Sequence, residues 1–505
     1  MVSLWRDITK IKHKYPSLDS DLEVDVVIIG GGITGITAAK QLIDAGKTVA
    51  LIDAQEIGGV TTGASTGNLY VPVQPLFQSI ESNFDFNTAK TVAHSRQMAI
   101  DYIESTVHEY NIKCHFKKRP WYAYTNKADN DSYQKEIELW KRMELAVDET
   151  QNLPLNLKFK KAVVMANQAR FNPLQYVTSL AHELHKKGCH IFEHTRALKI
   201  NEDNLCTVNT EKAKIKAQKV IIATHTPIGI NPTQLYLAPY RSYVVAVSLK
   251  NKEYPEGHFR NMDDSAPILC THPHTGNDPE LLMVAGSHHK TGQGTDMNNH
   301  FRELSHYLEH EFDVEDIVFQ WSAQHFHAAD SIPYIGLAHS SSKHVYMATG
   351  YFADGLVYGT LAGIILGDLL SSKMNQFFKI YDAQRKDLLD SSAFLFKENG
   401  NVLLQYLKDL PLFTPNEYQD LKAGEGKIVE VNRIKYAVSK NEKNELHVVT
   451  AVCPHMKGIV SWNNAEQTWD CPLHGSRFSP NGEVIEGPAT CSLKEQSIKI
   501  LDKDA

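Results

Sequence analysis

Residues 24 to 35 read Val24-Asp-Val-Val-Ile-Ile-Gly30-Gly31-Gly32-Ile33-Thr34-Gly35, and an apolar-periodic stretch then runs to Gly46 and on through Val49-Ala-Leu-Ile to Asp53. The pattern predicts a buried strand, a glycine turn, a helix stopped by Gly46, and a second strand ending in an acid. Each glycine has a separate task. Gly30 makes the tight turn, Gly32 lets backbone approach a pyrophosphate, and Gly35 lets the helix lie close on the strand. The helix N-terminus, with Ile33 and Thr34, offers N–H groups to phosphate, and Asp53 can accept from ribose hydroxyls. A glycine triplet alone is weak evidence. Its position between strand and helix, with an acid eighteen residues past Gly35, makes it a dinucleotide fingerprint.

The fingerprint does not separate FAD from NAD. After Asp53 and Ala54 the chain continues Gly58-Gly59-Val-Thr61-Thr62-Gly63-Ala-Ser65-Thr66-Gly67-Asn68, a glycine- and hydroxyl-rich loop suited to a second phosphate and a ribityl chain. Far downstream the strand-like His344-Val-Tyr-Met-Ala-Thr349-Gly350 meets Tyr351-Phe-Ala-Asp-Gly355-Leu356 and an apolar helix. Gly350 and Gly355 permit close backbone approach, and a positive helix end can face the electron-rich edge of a reduced flavin. A tightly packed corner would use the same glycines. Together the segments favour FAD.

Near the other end stand Cys453-Pro-His455, fifteen residues, then Cys471-Pro-Leu-His474-Gly-Ser476. Two Cys and two His also suit tetrahedral zinc, but zinc sites usually group cysteines with cysteines and histidines with histidines. Here each pair is led by its cysteine, the ligand order of a Rieske 2Fe-2S centre. Two thiolates hold one iron and two neutral imidazoles the other, which raises the potential above that of an all-cysteine cluster.

At 505 residues the chain has room for about three domains. Its 42% hydrophobic and 22% charged residues mark an ordinary globular protein, and a net charge of −7 argues against nucleic acid or an anionic membrane as partner. The first twenty residues alternate charged and apolar side chains, unlike a signal peptide. The longest apolar candidate, Leu356 to Leu370, is broken by Gly359, Gly363, Gly367 and Asp368, so no membrane span is expected. A cytoplasmic location is the default, and Cys114, Cys189, Cys206, Cys270 and Cys491 show no disulfide framework.

The motifs GGGITG, GGVTTGASTGNL, VIIATHTP (Val220 to Pro227) and MATGYFADGLVYGTLAG resemble those of the FAD-dependent D-amino-acid oxidase superfamily, which includes glycine and sarcosine oxidases. The join to a C-terminal Rieske domain resembles bacterial FAD-dependent oxidoreductases with such a fusion. The resemblance implies α/β plus all-β architecture: a Rossmann-like FAD-binding domain, an antiparallel-sheet substrate domain, and a small Rieske β domain. The implied oxidoreductase part spans 1–375, with FAD-binding segments at about 20–85, 172–236 and 322–375 and substrate-binding segments at about 86–171 and 237–321. A helical linker at 376–411 and a Rieske domain at 412–505 follow. Cofactor-binding candidates are Gly30, Gly32, Ile33, Thr34, Gly35, Asp53, Ala54, Thr61, Thr62, Ser65, Thr66, Gly67, Asn68, Ala197, Ala223, Thr224, Gly336, Gly350, Tyr351, Gly355 and Leu356. Cluster ligands are Cys453, His455, Cys471 and His474.

Within the Rieske part, Gly487-Pro488-Ala489 matches the loop that covers the cluster. Gly458 and Leu473 stand where respiratory Rieske subunits carry a bridging disulfide, so packing alone protects this cluster. Ser476 keeps the hydroxyl that bonds a cluster sulfide, whereas Phe478 replaces the tyrosine of high-potential members, which implies an intermediate potential.

Rieske oxygenases need a mononuclear iron held by two histidines and a carboxylate. His182-x2-His185-x4-His190 has a suitable spacing but a histidine in the acid's place, and it lies on an amphipathic helix expected at 172–187. His325-x-His327-x2-Asp330 could be drawn as a triad, but it precedes the loop Ser-Ile-Pro333-Tyr334-Ile-Gly336 that borders the flavin in the resembled family. There, an arginine eight residues before that proline clamps the substrate carboxylate; here the residue is His325, which lacks the bidentate fork. Arg241 is another candidate anion partner, and the segment Gly286 to Gly294 can reach the flavin face. His325, Arg241 and Tyr351 are therefore the catalytic candidates.

The favoured expectation is a flavin dehydrogenase of a small amine or amino-acid-like compound that passes electrons singly to the Rieske cluster and an external carrier such as ferredoxin, quinone or oxygen. A reversed current, with the cluster fed from outside and FAD reducing or hydroxylating a substrate, is the alternative enzyme. A redox sensor without turnover is the non-enzymatic one.

Overall fold

The computed structural model describes residues 1–155, 157–263, 267–274, 279–385 and 418–497. Most of the helical linker expected at 376–411, and the expected Rieske start at Leu412, fall outside these residues.

The strand Leu22–Ile29 sits in the middle of a sheet, with Val49–Ile52 parallel on one side and Lys214–Ile222 parallel on the other. A central parallel strand is covered on both faces, which is why its last four residues are all buried and apolar rather than alternating. His190–Phe192 extends this sheet beyond Val49–Ile52, and Val345–Thr349 and Tyr334–Leu337 extend it beyond Lys214–Ile222. Gly30 has φ +111°, and a Cβ there would lie 2.4 Å from the carbonyl oxygen of Ala223, so only glycine makes this turn. The chain then enters the helix Ile33–Asp44.

The helix Gly355–Leu370 packs on that first helix through the glycines that break its sequence as a membrane span. A Cβ on Gly359, Gly363 or Gly367 would come within 2.8 Å of Thr34, 2.6 Å of Thr37 or 2.3 Å of Gln41. Bare Cα atoms four residues apart thus let two helix backbones touch along one line. Among the described residues no helix is long and apolar enough to cross a membrane.

A second, nine-stranded sheet runs Val314–Ala328, Leu237–Leu249, Glu280–Lys290, Ile268–Pro273, His258–Asn261, Lys117–Thr125, Lys161–Arg170 and Asn68–Leu69, with Val147–Glu149 beside Lys161–Arg170. Leu237–Leu249 is buried along nearly its whole length because it is covered on both faces. Side chains alternate along a strand. Tyr243, Val245 and Val247 pack with Phe301, Leu304 and Leu308 of the helix Asn298–Glu311, while Val244 and Ala246 join the core on the opposite face. This alternation decides the fate of Arg241 and Ser242.

The Rieske part has a three-stranded sheet, Gly426–Val431, Ile434–Lys440 and Leu446–Thr450, and a four-stranded one, Ser461–Asn463, Thr468–Asp470, Arg477–Phe478 and Val484–Glu486. It sits on the oxidoreductase part through polar contacts. Gln324 Nε2 donates to Gly475 O at 2.9 Å, Arg196 Nη2 to Val484 O at 2.8 Å, and Gln55 Nε2 to Ile485 O at 3.0 Å. Gly475 and Gly292 make the fit close: a Cβ on the former would lie 2.7 Å from Pro239, and on the latter 2.7 Å from Pro472 N.

Candidate active site and cluster site

One large cavity opens where the two sheets meet. Its wall includes Gly30, Gly32, Ile33, Thr34, Asp53, Ala54, Thr61, Thr62, Ser65, Thr66, Asn68, Ala197, Ala223, Thr224, Tyr351, Gly355 and Leu356. Asp53 is oriented by two backbone N–H groups, from Gly31 and Gln55, each at 2.7 Å, while burial pushes its carboxyl above the ordinary value. Thr62 Oγ1 accepts from Ile33 N at 3.1 Å and so ties the second glycine loop to the helix start. These residues fit FAD: helix N–H groups for phosphate, an oriented acid for ribose, and a continuous wall beyond it.

Four candidates lie elsewhere. Gly35 is off the wall, and a Cβ on it would stand 1.9 Å from Gly30 O, so its role is helix-on-turn packing. Gly67 faces Phe171 and Trp5, Gly350 faces Ala328, and Gly336 faces Phe378 and Asp382. The last is a correction of position: in the pairing of Tyr334–Leu337 with Val345–Thr349, Gly336 points toward the helix Phe378–Tyr381.

Arg241 is also corrected. It is fully buried but not on the cavity wall, because the strand's alternation turns it to the opposite face from Ser242 and Val244. There it bonds Ser322 Oγ, pairs with Glu466 and lies 3.9 Å from Glu486. Arg477 completes the cluster, reaching Glu466 at 2.9 Å, Asp470 at 3.1 Å and Glu486 at 2.6 Å. Burial raises Glu466, but Arg241 and Arg477 overcome it and hold the carboxyl below its ordinary value. Arg241 is thus a bridge to the Rieske part rather than an anion receptor for substrate.

Tyr351 lines the cavity with its hydroxyl 3.2 Å from Thr34 Oγ1, at the helix start, and burial pushes its phenol up. It is placed to hold cofactor as a neutral donor. His325 also lines the cavity, 3.2 Å from Ser242 Oγ through Nδ1 and 3.1 Å from His327 through Nε2. The triad drawn with Asp330 does not form, since Arg385 holds both Asp330 oxygens at 2.7 Å. His182 stacks on His13 with ring centroids 3.5 Å apart, and His185 bonds Cys189 O, so that spacing gathers nothing either.

The structure adds wall residues absent from the sequence-derived set: His225, His288, Phe326 and Phe352, and from the Rieske part Ile485, Glu486, Gly487, Ala489 and Thr490. The segment 286–294 splits by strand alternation. His288 enters the cavity, while His289 goes to the other face beside Tyr243 and His300.

At the cluster site the rings of His455 and His474 are 5.0 Å apart and nearly perpendicular. Asn231 N donates to Gln234 Oε1, which identifies that atom as an acceptor. His455 Nε2, 3.1 Å from both Gln234 Oε1 and Gly229 O, must therefore carry the proton, leaving Nδ1 for iron. His474 Nδ1 is buried without a partner. Cys471 and the N–H groups of His455 and Met456 draw the Cys453 thiol down to about 7 against its burial, with Ser476 adding to the effect. Two thiolates and two imidazoles make a donor set suited to a two-iron cluster with unlike irons. Ser476 Oγ accepts from Ala489 N at 3.0 Å, which orients its own proton toward the cluster side. Phe478 is fully buried and offers no hydroxyl. A redox titration is expected to give a potential below about +250 mV, near the top of the range for such centres; a higher value would contradict this reading of Phe478.

Comparison with known proteins matches residues 25–369 to the family FAD dependent oxidoreductase and residues 414–497 to the Rieske [2Fe-2S] domain. A Rieske 2Fe-2S iron-sulfur protein of Bacillus subtilis (strain 168), YhfW, is 34% identical over 97% of this chain and 96% of its own length. The gamma-glutamylputrescine oxidoreductase of Escherichia coli (strain K12) is 21% identical over 72% of this chain and 87% of its own. Among solved structures, glycine oxidase from Geobacillus kaustophilus superposes with a TM-score of 0.59 at 17% identity, covering 72% of this chain and 99% of that one.

Proposed function

Because the chain belongs to the FAD dependent oxidoreductase family and carries a Rieske [2Fe-2S] domain behind it, we propose that it oxidises a small amine lacking a carboxylate and sends the electrons through the cluster to an external acceptor. The observation that carries this reading is the shared wall: residues 485–487, 489 and 490 of the Rieske domain line the same cavity as Gly30, Asp53 and Tyr351. A carrier fused merely for company would have no reason to close the flavin's own chamber. His455 is also bonded to Gly229 and Gln234, the segment that follows wall residues Thr226 and Ile228.

When bound, FAD supplies the hydride acceptor and the cluster a one-electron carrier. The protein binds, orients and excludes water. The arginines on the cavity wall, among the described residues, are Arg96 and Arg196, each tied down through part of its guanidinium. Arg96 gives Nε and Nη2 to the carbonyls of Tyr70, Val71 and Pro72 and faces Asp354 at 3.7 Å, and Arg196 bonds Val484 O. With Nε and Nη2 already given to carbonyls, Arg96 cannot offer a substrate carboxylate its two-nitrogen fork. Ser242, Val244, Ala285, Ala323, His288 and His325 instead offer an uncharged surface, since burial pushes His288 down to about 4 and His325 well below its ordinary value. Such a surface suits a neutral amine, whose oxidation needs orientation more than acid–base help.

Screening amines and amino acids anaerobically tests this. The expected result is bleaching of the flavin by an amine, followed by a reduced-Rieske EPR signal. Reduction by amino acids alone would overturn the substrate class. An oxidised cluster beside a fully reduced flavin would overturn the electron route.

A further inference from the structure

We propose that His288, Ser242, His325 and His327 form a proton path out of the flavin cavity, which removes the proton left behind when the cluster draws off electrons. The inference rests on the electron route proposed above, though not on the identity of the substrate. An electron handed through the cluster to an outside electron acceptor carries no proton with it in the net reaction. Reduced FADH⁻ returning to FAD gives up two electrons and one proton, so an exit for electrons alone requires a second exit for the proton.

The hydrogen bonds form an unbroken chain. His288 Nδ1 lies 2.6 Å from Ser242 Oγ, Ser242 Oγ lies 3.2 Å from His325 Nδ1, and His325 Nε2 lies 3.1 Å from His327 Nε2. Its direction follows from one backbone N–H. Ala353 N donates to Gln74 Oε1 at 2.8 Å, so the amide nitrogen of Gln74 is the atom facing His288 Nε2, at 3.3 Å. His288 Nε2 must accept, and its proton is on Nδ1 and donated to Ser242. The Ser242 hydroxyl then donates to His325 Nδ1, and His325 Nε2–H donates to His327. Every donor points the same way, which is the arrangement needed to hand a proton from His288 to His327.

The ends are placed accordingly. His288 stands on the cavity wall, and so do the buried Ser242 and His325. His327 is half-buried, off that wall, stacked on Tyr240 with centroids 4.2 Å apart and tilted over Phe352 at 4.7 Å. The charged and titratable neighbours acting on the three rings are Arg260 on His288, Lys290 and His288 on His327, and His327, His288, His225 and Arg241 on His325. All favour the neutral ring, so a proton passes along the chain and does not rest on it. Ser242 and His327 act as positioning residues in this path.

The test uses holoenzyme reduced anaerobically at both centres and mixed in weak buffer with ferricenium, which takes electrons and no proton. Flavin absorbance and a pH-indicator dye are followed together. Wild type is expected to release one proton per flavin in step with reoxidation. Ser242→Ala should slow flavin reoxidation and proton release on the order of a hundredfold, raise the solvent deuterium isotope effect, and leave the cluster's own reoxidation unchanged. Ser242→Thr, which keeps the hydroxyl, should restore the rate. If Ser242→Ala does not retain flavin, His327→Phe, beyond the cavity wall, is expected to produce the same slowing. Wild-type rates and isotope effects in the flavin-bearing variants would overturn the path. A wild-type flavin that stays reduced after its cluster is oxidised would instead overturn the electron route, and the path with it.

Discussion

Replacing Arg241 with methionine is expected to cost about 3–5 kcal/mol of the free energy that keeps the Rieske domain seated, the usual effect of leaving a buried charge without its partner. Arg241 is fully buried, and the side chains of Glu466 and Glu486 are only 13% and 11% exposed, so water would screen little of the loss. After the change Arg477 alone would face Glu466, Asp470 and Glu486. The measurement is chemical denaturation followed through the visible circular dichroism of the cluster, together with the rate at which the cluster is reduced after the flavin. Adding Glu466→Gln should recover part of the loss, because it removes one of the stranded charges. The pH dependence has a defined sign. Glu466 is held below its ordinary value, so its contribution is complete above the unfolded-state carboxylate range and fades as pH falls through the depressed value. An unaltered midpoint and an unaltered electron-transfer rate would remove Arg241 from the seat.

Gly35→Val is expected to yield a chain without flavin. The new Cβ would stand 1.9 Å from Gly30 O and 3.2 Å from Ile28 Cγ2, and the first of these is backbone that cannot rotate away. The helix Ile33–Asp44 would have to lift from Leu22–Ile29, taking Gly32, Ile33 and Thr34 off the cavity wall. Overpacking costs about 1–3 kcal/mol, and more where it strikes backbone as here, and the loss falls on the turn that meets the pyrophosphate. The flavin-to-protein absorbance ratio reads it directly, and the Rieske EPR signal serves as the internal control. A variant that binds FAD normally would mean that the turn tolerates displacement.

What could be read from the chain alone was whatever is local. The strand, glycine turn, helix and acid of residues 24–53 act on one another within a single βαβ unit, and each Cys/His pair lies within four residues. Their chemistry is written in their spacing. Arg241 shows the opposite case. Its partner Glu466 is more than two hundred residues away, and the side of the sheet it faces depends on which residues of Leu237–Leu249 point inward, a choice that apolar runs on both faces leave open. His288 failed to declare itself for the same reason, being next to His289 with no alternation in polarity to tell them apart. The contribution of residues 485–487, 489 and 490 to the cavity belongs to the docking of one domain on another, and no periodicity within either domain encodes that.

The two-faced strand Leu237–Leu249 has an evolutionary corollary. Ser242 and Val244 line the cavity while their immediate neighbour Arg241 meets the Rieske domain, so a one-residue insertion would exchange the two faces at a stroke. A lineage could broaden its diet by changing residues at even positions of this strand while keeping its partner through Arg241. Exchanging the carrier for another would require rewriting the strand's other face without disturbing a pocket one residue away.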